Sequence, residues 1–321
     1  MSIATPKLEA FRGDPSVQHP LRVSLVIPAF NEEAGLKGLL EGIGQVDGIH
    51  FQEILVIDDG SADGTAEVAA SFPRVTVMRN PYNQGNGAAV KKGIRQATGD
   101  IVVILDADGQ HPPSAIAELL QHVQEFDLVV GARTSSRSPG VRNIGNTLLN
   151  RFASFLSEVP IPDLTSGFRA GHRERLAEFL HLYPNGFSLP STSTLAFLSS
   201  GYSVKFVPIE NDCRRSGKSK IRVFRDALRF VVIIMRIVSM FYPLKVFVPA
   251  CGASLLMGVL WTLRTLGLTG QVSALGAMFV IVGVFLFLFG LLADQVASIR
   301  LELGRVTRTS RQEHTDRSPK T

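Results

Sequence analysis

Short apolar runs alternate with segments of helical periodicity along the N-terminal part of the chain. The apolar runs predict strands at Val23–Ile27, Glu53–Ile57, Val75–Met78, Ile101–Leu105 and Asp127–Gly131. The segments between them predict helices, the first through Leu36, Leu39, Leu40, Ile43 and Val46 and the others at about 63–72, 88–97 and 114–126. Strands and helices that alternate through short connections form a mainly parallel sheet covered on both faces, so the chain begins with an α/β domain.

Periodicity is poor between residues 135 and 208. A helix near 143–156 and a strand at Val204–Ile209 are predicted, but the topology of this part is not.

Two long apolar runs occupy the C-terminal third. Val246–Leu263 reaches about 27 Å as a helix, enough for a bilayer core, and Val272–Ala293 is longer. Neither run has a polar face, which disfavours the alternative of two buried core helices. The short connection Thr265–Gln271 makes the pair a transmembrane hairpin.

An arginine-rich stripe precedes the hairpin within residues 221–242. Its members fall three, four and seven residues apart, as on one face of a helix: Arg222, Arg225, Asp226, Arg229 and Arg236. The other positions are mainly Val, Ile, Phe and Met. This pattern favours an amphipathic helix in the membrane interface over an ordinary amphipathic core helix.

The predicted organisation is a flexible lead (1–20), a catalytic α/β domain (21–220), the interfacial helix (221–242), the hairpin (243–296) and a basic tail (297–321). The net charge of +5 concentrates at Arg214–Arg236 and after Arg300, beside apolar segments, which indicates membrane phosphates rather than nucleic acid. The basic tail predicts a protein of the cytoplasmic (inner) membrane with both termini and the catalytic domain on the cytoplasmic side. The two cysteines, Cys213 and Cys251, indicate neither a disulfide nor a thiolate metal site.

Two carboxylates, Asp106 and Asp108, end the fourth predicted strand. A strand buried on both faces places them at the carboxyl edge of a parallel sheet, where such sheets bind ligands. Two hard oxygen donors suit Mg²⁺ or Mn²⁺ bridged to a diphosphate. The alternative is an acidic turn before a helix that Pro112 and Pro113 begin.

Two further polar loops should lie at the same edge. The loop from Pro28 through Asn31 and Glu32, which also predicts a cap for the first helix, and Asp58-Asp59 can hold a nucleoside. The run 83–90 is not a dinucleotide fingerprint, because it follows the third strand and lacks the last glycine. Its Gly85 and the nearby Lys91, at a helix N-terminus, can still meet an anion.

Taken together, these motifs resemble family 2 glycosyltransferases of the GT-A fold, in the polyprenyl-phosphate branch related to dolichyl-phosphate mannose synthase. The resemblance rests on the runs 26–33, 56–61, 83–89, 106–113, 131–133, 166–169 and 214–220. It implies a Rossmann-like catalytic domain, a UDP- or GDP-linked sugar donor and a polyprenyl phosphate acceptor.

The resemblance also implies roles for individual residues. It places a divalent cation on Asp106, Asp108 and Gln110, and phosphates against Arg133, Arg214, Ser219 and Lys220. The catalytic set is then Asp106, Asp108 and Arg133. The donor set is Pro28, Asn31, Glu32, Asp58, Asp59, Gly85, Lys91 and Asp106.

A phosphate acceptor is already anionic at neutral pH, so the reaction needs charge neutralisation rather than a general base. One in-line displacement would invert the anomeric carbon. We expect His111, His172 and His181 to be solvated side chains and not acids, because isolated histidines in polar turns are usually solvated.

Two other functions are open. A processive polysaccharide synthase is disfavoured because Trp261 lies inside the first apolar run without a Gln-x-x-Arg-Trp motif. A catalytically silent nucleotide-binding protein is disfavoured by the retained Asp106 and Asp108. The sequence leaves open the base, the sugar, the polyprenol and homo-oligomerisation.

Overall fold

A computed structural model describes residues 21–46, 48–133, 141–186, 188–210 and 234–316. Within these, the side chains of 141–144 and 303–316 are not described.

The centre of the N-terminal α/β domain is a seven-stranded sheet. Its strands are β1 (Val23–Ala29), β2 (Phe51–Asp58), β3 (Val75–Arg79), β4 (Ile101–Ile104), β5 (Leu128–Arg133), β6 (Arg169–His172) and β7 (Val204–Ile209). The strand order is β3-β2-β1-β4-β6-β5-β7, and every pair is parallel except those that β6 makes with β4 and β5. The mainly parallel α/β sheet predicted from the alternating pattern is confirmed.

Helices cover both faces of the sheet. They are α1 (Glu33–Gly44), α2 (Thr65–Ala70), α3 (Asn86–Gln96), α4 (Ala115–Leu120), α5 (Val141–Ser157), α6 (Arg173–Glu178) and α7 (Leu189–Ser199). One apolar cluster joins the sheet to α1, α2 and α4, and a second joins it to α3 and to α5–α7. Strands such as β1, buried at every position, are apolar on both sides because both faces are covered.

Helix α4 is shorter than its periodicity predicts. The apolar positions favour a helix to about residue 126, but α4 ends at Leu120 and residues 121–125 form turns. The amides of His122 and Val123 bond three residues back, to Leu119 and Leu120. This tighter winding still buries Val123, so the apolar pattern is satisfied without a continuous α-helix.

The C-terminal third forms an antiparallel helix hairpin, α9 (Pro243–Thr269) and α10 (Ala274–Asp316). Both contain stretches long and apolar enough to cross a membrane, and only 11% and 17% of the respective apolar windows are buried. Such exposure is unlike that of a core helix in a soluble protein. The helices pack where Gly258 and Gly276 face each other, since a β-carbon on either would meet the other helix.

The predicted connection Thr265–Gln271 is wrong in extent. Helix α9 continues through Thr269 and ends at Gly270, which adopts a left-handed conformation (φ 69°). The connection is therefore 270–273. An apolar run indicates which part of a helix is suited to contact lipid. The end of the helix is set instead by a glycine, which tolerates a positive φ.

Residues 234–241 form a helix, α8, that leads into α9. Ile237, Val238 and Phe241 are buried in the apolar cluster with α5–α7, while Met235 and Arg236 are exposed. In this part the apolar face covers the catalytic domain. Most of the predicted interfacial helix 221–242 lies outside the described residues, so that assignment stays a prediction.

Candidate active site

The carboxyl ends of β1, β2 and β4 lie side by side, because these strands are parallel neighbours in the sheet. The three polar loops that follow them therefore share one edge, as the sequence predicts. This edge holds most of the candidate donor residues.

Asp106 and Asp108 follow β4 at this edge, and both are half-buried. The Oδ1 atom of Asp106 accepts a long hydrogen bond, 3.3 Å, from Nδ2 of Asn86. Oδ1 of Asp108 accepts a 3.1 Å bond from the backbone N–H of Gln110. Burial and, second, the negative charge of Asp108 raise the pKa of Asp106. The two carboxylates are thus held together at an electrostatic cost.

This pair fits a divalent cation. Oxygen donors suit Mg²⁺ or Mn²⁺, and a cation between the carboxylates would remove the repulsion that raises the pKa of Asp106. Among the described residues, no cluster of three or more His, Cys, Asp or Glu side chains is placed to hold a metal. A cation here would therefore need the amide oxygen of Gln110 or ligands from a bound diphosphate.

The loop before β6 packs directly on Asp106. A β-carbon on Gly167 would collide with the Asp106 carboxylate, so only glycine allows this approach. The sequence resemblance includes this loop, but the contact with Asp106 was not predicted.

Arg169 lies fully buried beneath the same loop. Its guanidinium donates to the backbone carbonyls of Ser166 and Pro190 and to the hydroxyl of Ser193. Burial lowers the pKa of Arg169 to about 10, so the side chain still carries its positive charge at neutral pH, and that charge attracts Asp106. Arg169 is a fixed counter-charge that sequence reasoning did not assign to the site.

Arg133 ends β5 and is held by Asp163. Its Nε and Nη2 atoms donate to the two carboxylate oxygens of Asp163 at 2.6 and 2.9 Å, and Nη2 also donates to Oγ1 of Thr165 at 2.7 Å. These bonds raise the pKa of Arg133. Asp106 and Asp108 are near enough to interact electrostatically with Arg133. The predicted phosphate ligand thus lies beside the acidic pair, with its orientation fixed by Asp163.

Asp59 shapes the glycine-rich turn. Oδ1 accepts bonds from Nδ2 of Asn80 at 2.8 Å and the amide of Gln84 at 3.0 Å, and Oδ2 accepts the amide of Gly85 at 2.7 Å. Its neighbour Asp58 is also fully buried. Asp58 and Asp59, which the sequence predicts to bind the nucleoside, are therefore buried parts of this edge of the sheet.

Asp58 is bonded within the protein as well. Its Oδ1 accepts the amide of Ser61 at 2.9 Å, and its Oδ2 lies 3.1 Å from Nε of Arg79. These contacts fix the loop after β2.

Asn31 joins the first two loops instead of capping α1. Its backbone is left-handed (φ 53°), its amide donates to Oγ of Ser61, and its Oδ1 accepts the amide of Ala62, both at 2.9 Å. Helix α1 has Glu32 at the cap position and Glu33 in its first turn, within the predicted cap segment 31–33, but no side chain makes a cap bond. Pro28 lies in β1, paired with Ile57 of β2.

Lys91 is bonded to the loop that precedes α7. Its Nζ donates to the Tyr183 carbonyl at 3.0 Å and to Oδ1 of Asn185 at 2.5 Å, and the Asn185 carbonyl accepts the amide of Ala88 at 3.1 Å. The loop thus lies against the start of α3, beside Gly85. In this structure Lys91 holds that loop in place.

The expectation of solvated histidines is wrong for His111, while His172 is half-buried and His181 is exposed. His111 is 5% exposed, with its ring centroid 5.1 Å from that of Phe168, and burial lowers its pKa to about 4. Its Nδ1 has no hydrogen-bond partner in the described part of the chain. His172 Nε2 lies 2.9 Å from the Val123 carbonyl, and His181 contacts backbone carbonyls through both ring nitrogens. The proline-rich turn that contains His111 is polar in sequence, but the His111 side chain packs into the interior.

The predicted acceptor residues Arg214, Ser219 and Lys220 lie outside the described residues. Arg236 is described, and its Nη1 donates to Oγ of Ser188 at 2.8 Å.

Known protein families match both parts of this architecture. Residues 24–180 match the model of glycosyl transferase family 2, and residues 242–299 match the GtrB C-terminal hairpin. The dolichol-phosphate mannosyltransferase of Pyrococcus furiosus is 30% identical over 278 residues, which cover 80% of this chain and 77% of that protein. The chain belongs to glycosyltransferase family 2. It is an enzyme, as the sequence predicts.

Two further similarities agree with this assignment. The polyprenol monophosphomannose synthase of Mycolicibacterium smegmatis is 33% identical over 240 residues, covering 69% of this chain and 89% of that protein. Glucosyl-3-phosphoglycerate synthase of Mycobacterium tuberculosis, crystallised with Mn²⁺ and UDP, superposes with a TM-score of 0.57 at 20% identity, covering 68% of this chain and 78% of that one. The predicted GT-A fold is confirmed.

Proposed function

We propose that this glycosyltransferase moves a sugar from a UDP- or GDP-linked donor to a polyprenyl phosphate on the cytoplasmic face of a membrane. One observation carries the proposal: the acidic pair and Arg133 lie together on a domain whose helices pack against a hairpin of membrane-spanning length. The two relatives named for dolichol phosphate and polyprenol support it.

The donor diphosphate lies at Asp106 and Asp108, with Mg²⁺ or Mn²⁺ held by these carboxylates and Gln110. When bound, the cation offsets the charge that develops on the departing diphosphate. The nucleoside occupies the loops of Pro28, Asn31 and Glu32 and of Asp58 and Asp59. Gly85 and Lys91 border it. The buried charge of Arg169 keeps the acidic pair in place beneath the donor.

The acceptor phosphate binds Arg133, with Arg214, Ser219 and Lys220. A phosphate monoester is a ready nucleophile at neutral pH, so no side chain must take a proton from it. What the site supplies is positive charge that lets two anions approach. One displacement at the anomeric carbon inverts its configuration.

The decisive experiment uses membranes that contain the wild-type protein or the Asp108→Asn variant. Each is incubated with added polyprenyl phosphate and radiolabelled UDP- or GDP-sugars, and the organic phase is extracted. Acid-labile label in that phase, made by the wild type alone, is the expected result. Label in a long polymer would instead identify a processive synthase. Absence of label with every donor would contradict transfer to a lipid phosphate.

A further inference from the structure

Lys245 lies in the first turn of α9, at the start of the first spanning helix. Its Nζ donates to the carbonyl of Leu156 at 2.7 Å and lies 2.5 Å from Oε1 of Glu158. The carbonyl of Leu156 belongs to the last turn of α5, where backbone oxygens lack partners within their own helix. A cation at this end also interacts favourably with the helix dipole. The spanning helix thus caps a helix of the catalytic domain.

Glu158 has an unusual backbone. Its φ is 60°, and Asn31 is the other non-glycine residue with positive φ in the described part of the chain. A side chain disfavours this left-handed conformation, which persists only where surrounding contacts hold it. Asn31 lies at the donor edge. Glu158 lies instead where the chain leaves α5 and meets Lys245.

From Glu158 the chain runs directly to Asp163, and α5 fixes this stretch. Oγ of Ser154 accepts the amide of Ile161 at 2.9 Å, and Nδ2 of Asn150 donates to the carbonyl of Pro162 at 2.6 Å. The next residue, Asp163, orients Arg133. Hydrogen bonds at both ends of the segment 156–163, and the main chain between them, therefore link the first turn of α9 to the proposed phosphate ligand.

We propose that Lys245 is a positioning residue, which fixes the depth of Arg133 relative to the membrane through Glu158 and Asp163. The inference rests on the proposed lipid phosphate acceptor. The phosphate of a lipid is confined to the headgroup layer, so the protein must present Arg133 at that layer. A misplacement of about 1 Å far from the chemistry can cost on the order of a hundredfold in rate. A soluble acceptor carries no such constraint, because it can follow a displaced Arg133.

The test compares two acceptors in proteoliposomes of full-length protein: a long-chain polyprenyl phosphate in the bilayer and a short-chain, water-soluble prenyl phosphate. For Lys245→Met we expect the KM of the bilayer acceptor to rise about tenfold or more. The donor KM and the short-chain kinetics should change less than about twofold. Lys245→Arg, which keeps the charge and can still reach the Leu156 carbonyl, should restore most of the bilayer activity.

Arg22→Met is the matched control. It breaks another surface ion pair, Arg22–Asp100 at 2.8 Å, at the end of β4 opposite to Asp106. The kinetics with both acceptors should therefore stay unchanged. Equal losses with the two acceptors, together with a lower Tm, would show that Lys245 only stabilises the fold and overturn the inference. Unchanged kinetics with both would also overturn it. If the wild-type protein is inactive with every prenyl phosphate, that result contradicts the proposed function on which the inference rests.

Discussion

The Asp106 carboxylate occupies the space that a β-carbon on Gly167 would need. This contact joins the carboxyl end of β4 to the loop before β6. It leaves the Asp106 carboxylate no room to accommodate a side chain at position 167.

Replacing Gly167 with Ala should therefore displace Asp106. We expect turnover to fall about a hundredfold, the scale of losing a main electrostatic stabiliser. Initial rates and Mn²⁺ titration by electron paramagnetic resonance measure the effect. Gly38→Ala, at a site in α1 with no atom within 4 Å of the added carbon, should retain wild-type activity. Normal Mn²⁺ affinity in Gly167→Ala would show that the contact does not position the pair.

Transfer should depend on a divalent cation held by Asp108. Asp108→Asn removes one of the two charges, and we expect turnover to fall at least about a hundredfold. Asp100→Asn, at the other end of the same strand, is the control, since the Asp100 carboxylate pairs with Arg22 and not with the acidic pair. Full activity of the wild type in excess EDTA would contradict metal dependence.

Asp163→Asn should affect the acceptor more than the donor. The change removes the negative charge that orients the Arg133 guanidinium through two hydrogen bonds. Because Asp163 is buried, the free energy of unfolding should also fall by about 1–3 kcal/mol. We expect the acceptor KM to rise about tenfold while the donor KM stays within about twofold. Initial-rate kinetics with each substrate varied in turn make the measurement. A larger rise in the donor KM would place Arg133 on the donor diphosphate.

The hairpin turn at 270–273 should lie on the far side of the membrane from both termini. In a background with Cys213 and Cys251 replaced by Ser, a cysteine at Gln271 should react with an impermeant thiol reagent added from outside. A cysteine at Ser310 should react only after the membrane is opened. The reverse pattern would invert the predicted topology.

The sequence predicts the shared edge of β1, β2 and β4 because each strand and its polar end is a local pattern. It does not predict the contacts Gly167–Asp106 and Asp163–Arg133. These depend on β6, a four-residue strand whose place between β4 and β5 is set by packing in three dimensions. The buried His111 was missed for the same reason: its partner Phe168 is brought to it by that strand.

The position of β6 has a consequence for synthesis on the ribosome. Strands β1–β4, with Asp106, can pair once β4 has emerged, because all of their partners precede residue 105. Strand β5 joins them only through β6, so Arg133 reaches the acidic pair after residue 172 has emerged. We expect amides of β1 and β2 to resist hydrogen exchange in arrested chains that end before Arg169, and those of β5 to exchange freely. The part of the domain that carries Asp106 is therefore expected to fold before Arg133 takes its place beside it.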